Sequence, residues 1–136
     1  MASEVYKLTE TERDEVTSAV VDQANGRAKI VINTGEQGTD LAIHYSKRAE
    51  ELGADALMIR PATFIPTPES EVVEYFRRIA EAVTIPIFQQ DQGTAQIGPG
   101  LAATLARTHE NLCYIKVETP PTLPRMAQTA AVRGDS

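Results

Sequence analysis

Short apolar runs recur along this chain at an even spacing, each separated from the next by a loop and a stretch of helical periodicity. That alternation leaves few folds open. The runs fall at residues 28–34, carrying Ile30, Val31 and Ile32, and at residues 56–59, 85–90 and 112–117. They lie about 26 to 29 residues apart, the period of a parallel sheet whose strands are joined by crossover helices. The predicted order is α-β-α-β-α-β-α-β. The units share little sequence with one another, so the repetition is structural. The run at 28–34 suits a strand buried on both faces.

The helical stretches carry their own start and stop signals. Thr9 followed by Glu12 forms a capping box, and Glu10 and Glu12 favour the positive end of a helix whose Val16, Ala19, Val20 and Ala24 share one face. Gly26 ends it. After the break at residues 35–38, Thr39 is expected to cap a second helix bearing Leu41, Ala42, Tyr45, Ala49 and Leu52, which Gly53 closes. A proline-bearing loop at 61–68 leads into a third helix from about Ser70, with Val72, Val73, Phe76, Ile79, Ala80 and Val83 turned inward. A glycine-rich loop through Gly93 and Gly98 leads into a fourth with Leu101 and Leu105. From residue 122 to 136 the chain reads as a tail of loop, frayed helix or disorder, leaving residues 1–121 as the folded unit.

Composition narrows the function. The 136 residues suit one domain, and 42% hydrophobic content suffices for a core. A formal net charge of −6 opposes a nucleic-acid partner, which would draw on clustered Lys and Arg; Lys47-Arg48 and Arg77-Arg78 read as solvated, ion-paired helix faces. No apolar run approaches the ~18 residues of a membrane span. The single cysteine, Cys113, cannot form an internal disulfide and reads as a small core residue. The amino terminus lacks a secretory pattern, so a cytoplasmic setting is expected.

In parallel α/β folds chemistry gathers where strands run into the following loops, which makes residues 34–38, 60–63, 90–94 and 116–118 the candidates. Lys116 interrupts an otherwise apolar strand. If buried, its amine would be pushed toward the neutral form and made nucleophilic toward a ketone or aldehyde. The competing reading is a lysine that reaches solvent or pairs with Glu118, two positions on along the same strand face. Gln90 and Asp91, at the end of the preceding strand, could hydrogen-bond a substrate carboxylate or carbonyl, or could simply form a turn. His44 and His109 have no His, Cys or acid at ligand spacing, so no metal site is expected. Glu50, Glu51, Glu71, Glu74 and Glu81 fall on exposed helical positions. A G-x-G-x-x-G fingerprint is absent, which argues against NAD or FAD binding, and a phosphate-binding loop of the G-x-x-x-x-G-K type is absent too.

Several segments together resemble one family. Glu4, Leu8, Thr9, Glu12 and Arg13 are similar to its G-E-x-x-x-L-[ST]-x-x-E-R stretch. Thr39, Ala42-Ile43 and Ala49 through Met58 are similar to its T-x-x-A-I…A-x-x-x-G-A-D-A helix and strand. Pro61, Tyr75-Phe76, Ile79-Ala80 and Ile85-Pro86-Ile87 continue the match. Tyr114-Ile115-Lys116-Val117-Glu118 falls where the family's strand ends in a Schiff-base lysine. On these residues the chain resembles the dihydrodipicolinate synthase/N-acetylneuraminate lyase family over roughly residues 3–121.

The resemblance implies a partial (β/α)8 TIM barrel with about four parallel strands and alternating helices. It also implies class I aldolase chemistry in which pyruvate or another 2-oxo acid condenses with Lys116, with no metal or organic cofactor. About four of eight strands would leave two sheet edges and a core face uncovered, which predicts self-association into a homo-oligomer. Gln90 stands where the family has a tyrosine, Ala62-Thr63 where it has an aromatic pair, and Met1-Ala2 at its paired hydroxyl positions. These replacements keep a second possibility open: a non-catalytic truncated homologue, or pseudoenzyme, that binds a small oxo acid or a partner protein.

Overall fold

The fold was taken from a computed structural model, in which residues 4–132 are described. Met1, Ala2, Ser3 and the last four residues of the tail lie outside the described residues.

Four strands, β1 (Val31–Asn33), β2 (Ala56–Ile59), β3 (Ile87–Asp91) and β4 (Tyr114–Val117), form one parallel sheet in chain order. Before β1 comes α1 (Glu10–Ala24). Between the strands lie α2 (Thr39–Glu51), α3 (Glu69–Ala82) and α4 (Pro99–Thr108), and α5 (Thr122–Val132) follows β4. The register aligns Asn33 with Met58, Met58 with Phe88, Phe88 with Tyr114 and Gln90 with Lys116. This is a partial α/β barrel: sequential parallel neighbours, each reached through a helix.

Alternation along the strands sorts their side chains between two unlike faces. Leu57, Ile59 and Ile87 turn toward the helices and are fully buried with Ala42, Phe76, Ile79, Leu105 and Leu112. Burying each large apolar side chain contributes about 1.5–3 kcal/mol, which makes this layer the main source of stability. The opposite face is open at its flanks: Val31 and Tyr114 are exposed there, while Ala56 and Gln90 in the middle strands are buried, and Phe88 stacks on Tyr114 with ring centroids 4.8 Å apart. The strand expected to be buried on both faces is therefore covered on one only, where Ile32 is partly buried against the core. Cys113, expected in the core, is exposed, because it precedes β4 at the sheet edge, where no further strand among the described residues covers it.

The capping box at α1 forms as predicted: Glu12 N–H donates to Thr9 Oγ1 at 3.3 Å and Thr9 N–H to the Glu12 carboxylate at 2.8 Å. The apolar stripe of that helix is only thinly covered, with Val16 and Val20 exposed. Thr39 is the first residue of α2 and not its cap, which is Gly38 without a side-chain bond. Gly53 takes a φ of +93° at the end of α2, a left-handed turn that favours glycine. The stretch from 122 that was expected as loop, frayed helix or disorder forms α5 over Thr122–Val132, tied down by Arg125 as described below. Among the described residues no helix is long and apolar enough to cross a membrane.

Candidate functional site

The carboxyl ends of the strands bring three of the sequence candidates to one edge of the sheet and divide them between its two faces. Lys116 and Gln90 are registered neighbours on the open face. Between them stands Glu118. Its Oε1 lies 2.5 Å from Lys116 Nζ, and its Oε2 accepts a hydrogen bond from Gln90 Nε2 at 2.7 Å. Asn33 Nδ2, from the end of β1, approaches Gln90 Oε1 at 3.4 Å. The Lys116 ammonium, followed by the Gln90 amide, holds the Glu118 carboxyl below the usual carboxylate range, because both donors favour its charged form.

Lys116 is not the buried lysine that an apolar strand pattern suggests. Its side chain is 47% exposed, because it projects from the face that no helix covers. Pairing with Glu118, the competing expectation, is the arrangement present.

Asp91 sits on the helix side of the same strand end, and its burial is complete. Its carboxylate accepts from Ile97 N–H at 2.9 Å, Thr119 Oγ1 at 2.9 Å, Thr119 N–H at 3.3 Å, Arg125 Nη2 at 3.0 Å and Arg125 Nε at 3.3 Å. Its backbone carbonyl accepts the Glu118 N–H at 2.9 Å. One aspartate thus ties together the β3–α4 loop, the residues just after Lys116, and α5. Arg125 and Thr119, which complete this knot, were not among the sequence candidates. Thr119 follows β4 and Arg125 lies in α5, 28 and 34 residues from Asp91, and no local spacing marks them.

The neighbouring loops are fixed in a similar way. Gln37 Oε1 accepts the N–H groups of Thr63 and Phe64, both at 2.9 Å, and Arg60 Nη1 donates to Thr63 Oγ1 at 3.0 Å. Gly35 has a steric reason to be glycine: a Cβ there would stand 2.9 Å from the backbone nitrogen of Arg60. Phe64 and Ile65, beyond this clamp, are largely exposed.

The histidines stay outside the site. His44 meets Glu10 at 2.6 Å and His109 meets Glu81 at 3.7 Å. Among the described residues no cluster of His, Cys, Asp or Glu could hold a metal ion. A hollow of about 140 Å³ lies between α1, β1 and α2, walled by Val16, Thr17, Val31 and Tyr45, and Lys116 takes no part in it. Its lining also carries Arg13, Asp14, Asn33 and Arg48, but no primary amine, so the Lys116 cluster at the strand ends is the better candidate for amine chemistry.

What this arrangement can do is hold a primary amine at a strand end, with a carboxylate and an amide beside it. Comparison with known proteins places it in a family. The family model described as "Dihydrodipicolinate synthetase family" matches residues 2–134. An L-2-keto-3-deoxyarabonate dehydratase from Azospirillum brasilense is 34% identical over 98% of this chain, covering 45% of that enzyme. Among solved structures, dihydrodipicolinate synthase from Aquifex aeolicus is 30% identical with a TM-score of 0.87 over 98% of this chain and 46% of its own. The Acinetobacter baumannii dihydrodipicolinate synthase, solved as a complex with pyruvate, is 28% identical with a TM-score of 0.88, over 96% and 46%. The chain therefore spans just under half the length of these relatives.

Proposed function

Because this chain belongs to the dihydrodipicolinate synthetase family, we propose that its strand-end cluster serves a class I aldolase-type lyase acting on a 2-oxo acid, with Lys116 as the nucleophile. The carrying observation is that Lys116 stands at the carboxyl end of β4 beside Gln90 and Glu118, with its amine reachable from the open face. In such chemistry the neutral amine attacks the keto carbon, water leaves, and the resulting iminium draws electrons from the adjacent carbon. That electron sink lets a neighbouring carbon–carbon or carbon–oxygen bond form or break with no metal or organic cofactor. Gln90 offers an amide to the substrate's carboxylate or carbonyl. Asp91, buried and fully engaged, contributes by holding the loops and not by touching substrate.

The Azospirillum relative supports a narrower substrate class, a 2-keto-3-deoxy sugar acid from which the iminium would eliminate water. Gln90 in place of the family's tyrosine favours neither a dehydratase nor a synthase, since both need proton transfers that an amide cannot relay as a phenol can. The open sheet face, with Val31 and Tyr114 exposed and β1 and β4 as bare edges, supports self-association. The single, exposed cysteine is in keeping with a cytoplasmic setting. A second reading, a non-catalytic homologue that binds an oxo acid or a partner protein, draws on one observation: Lys116 is half exposed and engaged by Glu118.

Borohydride trapping decides between them. Incubation with pyruvate or a 2-keto-3-deoxy sugar acid, followed by reduction and peptide mass mapping, is expected to give a stable adduct confined to the Lys116 peptide and absent from Lys116→Ala. A folded wild-type chain that yields no adduct with either compound would remove the lyase reading and leave the binding one.

A further inference from the structure

We propose that Glu118 is a catalytic residue, the carboxylate that takes the proton from Lys116 and returns it to the departing hydroxyl during iminium formation. The inference rests on the reading of Lys116 as the Schiff-base nucleophile and adds the group that moves its protons.

Geometry carries it. A general base must come within about 2.6–3.2 Å of the proton's heavy atom, and Glu118 Oε1 already stands in ion-pair contact with Lys116 Nζ at 2.5 Å. The carboxylate is also held at both ends, unlike an ordinary surface ion pair. Gln90 Nε2 grips Oε2 at 2.7 Å, and the Glu118 backbone N–H is bound to the Asp91 carbonyl at 2.9 Å. Thr119, the next residue, is fixed to the buried Asp91 carboxylate through both its N–H and its hydroxyl.

Among the described residues, the other charged or titratable groups near the pair lie off this face or are committed elsewhere. On β3, Gln90 does not titrate and Asp91 points to the helix side. The Arg60 guanidinium, after β2, bonds Thr63, and β1 presents the neutral Asn33. Tyr114 lies two residues before Lys116 and stacks on Phe88, and Arg125 of α5 is spent on Asp91. Among the described residues, Glu118 is therefore the titratable group within hydrogen-bond reach of Lys116 Nζ.

The proton inventory closes around that one carboxylate. The ammonium gives a proton to Glu118, leaving a neutral amine and a carboxylic acid. The amine attacks the keto carbon, and its own proton passes to the keto oxygen, forming a carbinolamine. The Glu118 acid then protonates the carbinolamine hydroxyl, the carbon–oxygen bond breaks, and water departs. A protonated iminium and the original carboxylate remain. Overall, ammonium plus ketone becomes protonated iminium plus water, with no external acid, base or oxidant.

The test compares rates of borohydride-trapped adduct formation with pyruvate, across pH, for wild type, Glu118→Gln and Glu118→Asp. Wild type is expected to hold a plateau over the neutral range and to fall on the acid side, where Glu118 becomes protonated. Glu118→Gln is expected to be slower by about 100-fold at neutral pH, within the usual span of acid–base contributions. Its rate should climb steadily with pH, because bulk solvent must now remove the proton. Glu118→Asp should keep the wild-type profile shape. Glu118→Gln reacting at the wild-type rate with an unchanged profile would overturn the assignment while leaving the Schiff base standing.

Wild type giving no adduct at all would overturn both readings. If Glu118→Gln does not fold by circular dichroism, Gln90→Leu serves instead. Removing the Gln90 donor raises the carboxyl's proton affinity, so the acid limb should move to higher pH; an unmoved limb overturns the proposal.

Discussion

Two ion pairs stand one residue apart at the same end of the sheet, and the strand's alternation puts them in opposite worlds. Arg125–Asp91, at 3.0 Å, lies among the helices with its carboxylate wholly buried. Lys116–Glu118, at 2.5 Å, lies on the open face with both side chains more than a third exposed. The difference teaches that contact distance says little about what a pair does. The buried carboxylate collects five hydrogen-bond contacts from three segments and builds the platform; the exposed pair rides on that platform and stays available to a ligand.

The sharpest way to break this contrast is to remove Arg125. Arg125→Met leaves the Asp91 charge buried with only the Ile97 and Thr119 donors. Breaking one side of a buried pair typically costs about 3–5 kcal/mol. Urea unfolding should therefore show a midpoint far below wild type, and hydrogen exchange should show α5 opening first. A loss under ~1 kcal/mol would mean that the two pairs are energetically alike and that the platform account fails.

Much of the covered face was legible in sequence, while the knot on that face was not. The Thr9–Glu12 box, the strand spacing and the inward Phe76 and Ile79 are local patterns, and local patterns survive into structure. The joining of Asp91 to Thr119 and Arg125 spans 28 and 34 residues and has no periodic signature. Lys116 was legible only as two alternatives, and the pairing with Glu118 is the one the structure holds. An apolar strand announces that one face is buried, and it is silent on whether anything covers the other. Glu118 could be seen as a neighbour of Lys116 at two-residue spacing, but its grip by Gln90 depends on the β3–β4 register, which only the assembled sheet supplies.

An intermediate effect should come from Tyr75, a second polar group sunk into the covered side. Its hydroxyl donates to the Glu36 carbonyl at 3.1 Å and accepts the Glu36 N–H at 3.2 Å, anchoring the β1–α2 loop from α3. Burial pushes its phenol up to about 12. A raised value means that the folded chain keeps a proton the unfolded chain has begun to lose. Tyr75's contribution is therefore complete below about pH 10 and is lost as pH rises toward 12. At 1.36 kcal/mol per unit the full loss is of order 2–3 kcal/mol. Tyr75→Phe should flatten that alkaline limb of the unfolding free energy. An equally steep limb in the variant would place the titration elsewhere.

The smallest expected effect sharpens the comparison most. Lys116→Met should change unfolding free energy by less than ~1 kcal/mol, because an exposed pair gains little over its hydration and is screened by salt. The pair's small contribution should carry a definite sign with pH. The Glu118 carboxyl is held below its unfolded value, so the stabilisation is present above the unfolded carboxylate range and fades as pH falls through the folded one. Urea midpoints for wild type and Lys116→Met should accordingly converge in acid and differ slightly at neutral pH, the gap closing at high salt. A large, salt-insensitive loss would mean that Lys116 is buried in the working protein, covered by a second copy or by further chain, and that the open face is not open in solution. Near-neutral stability joined to complete loss of borohydride trapping would instead separate the two roles: the fold does not need Lys116, and the chemistry does.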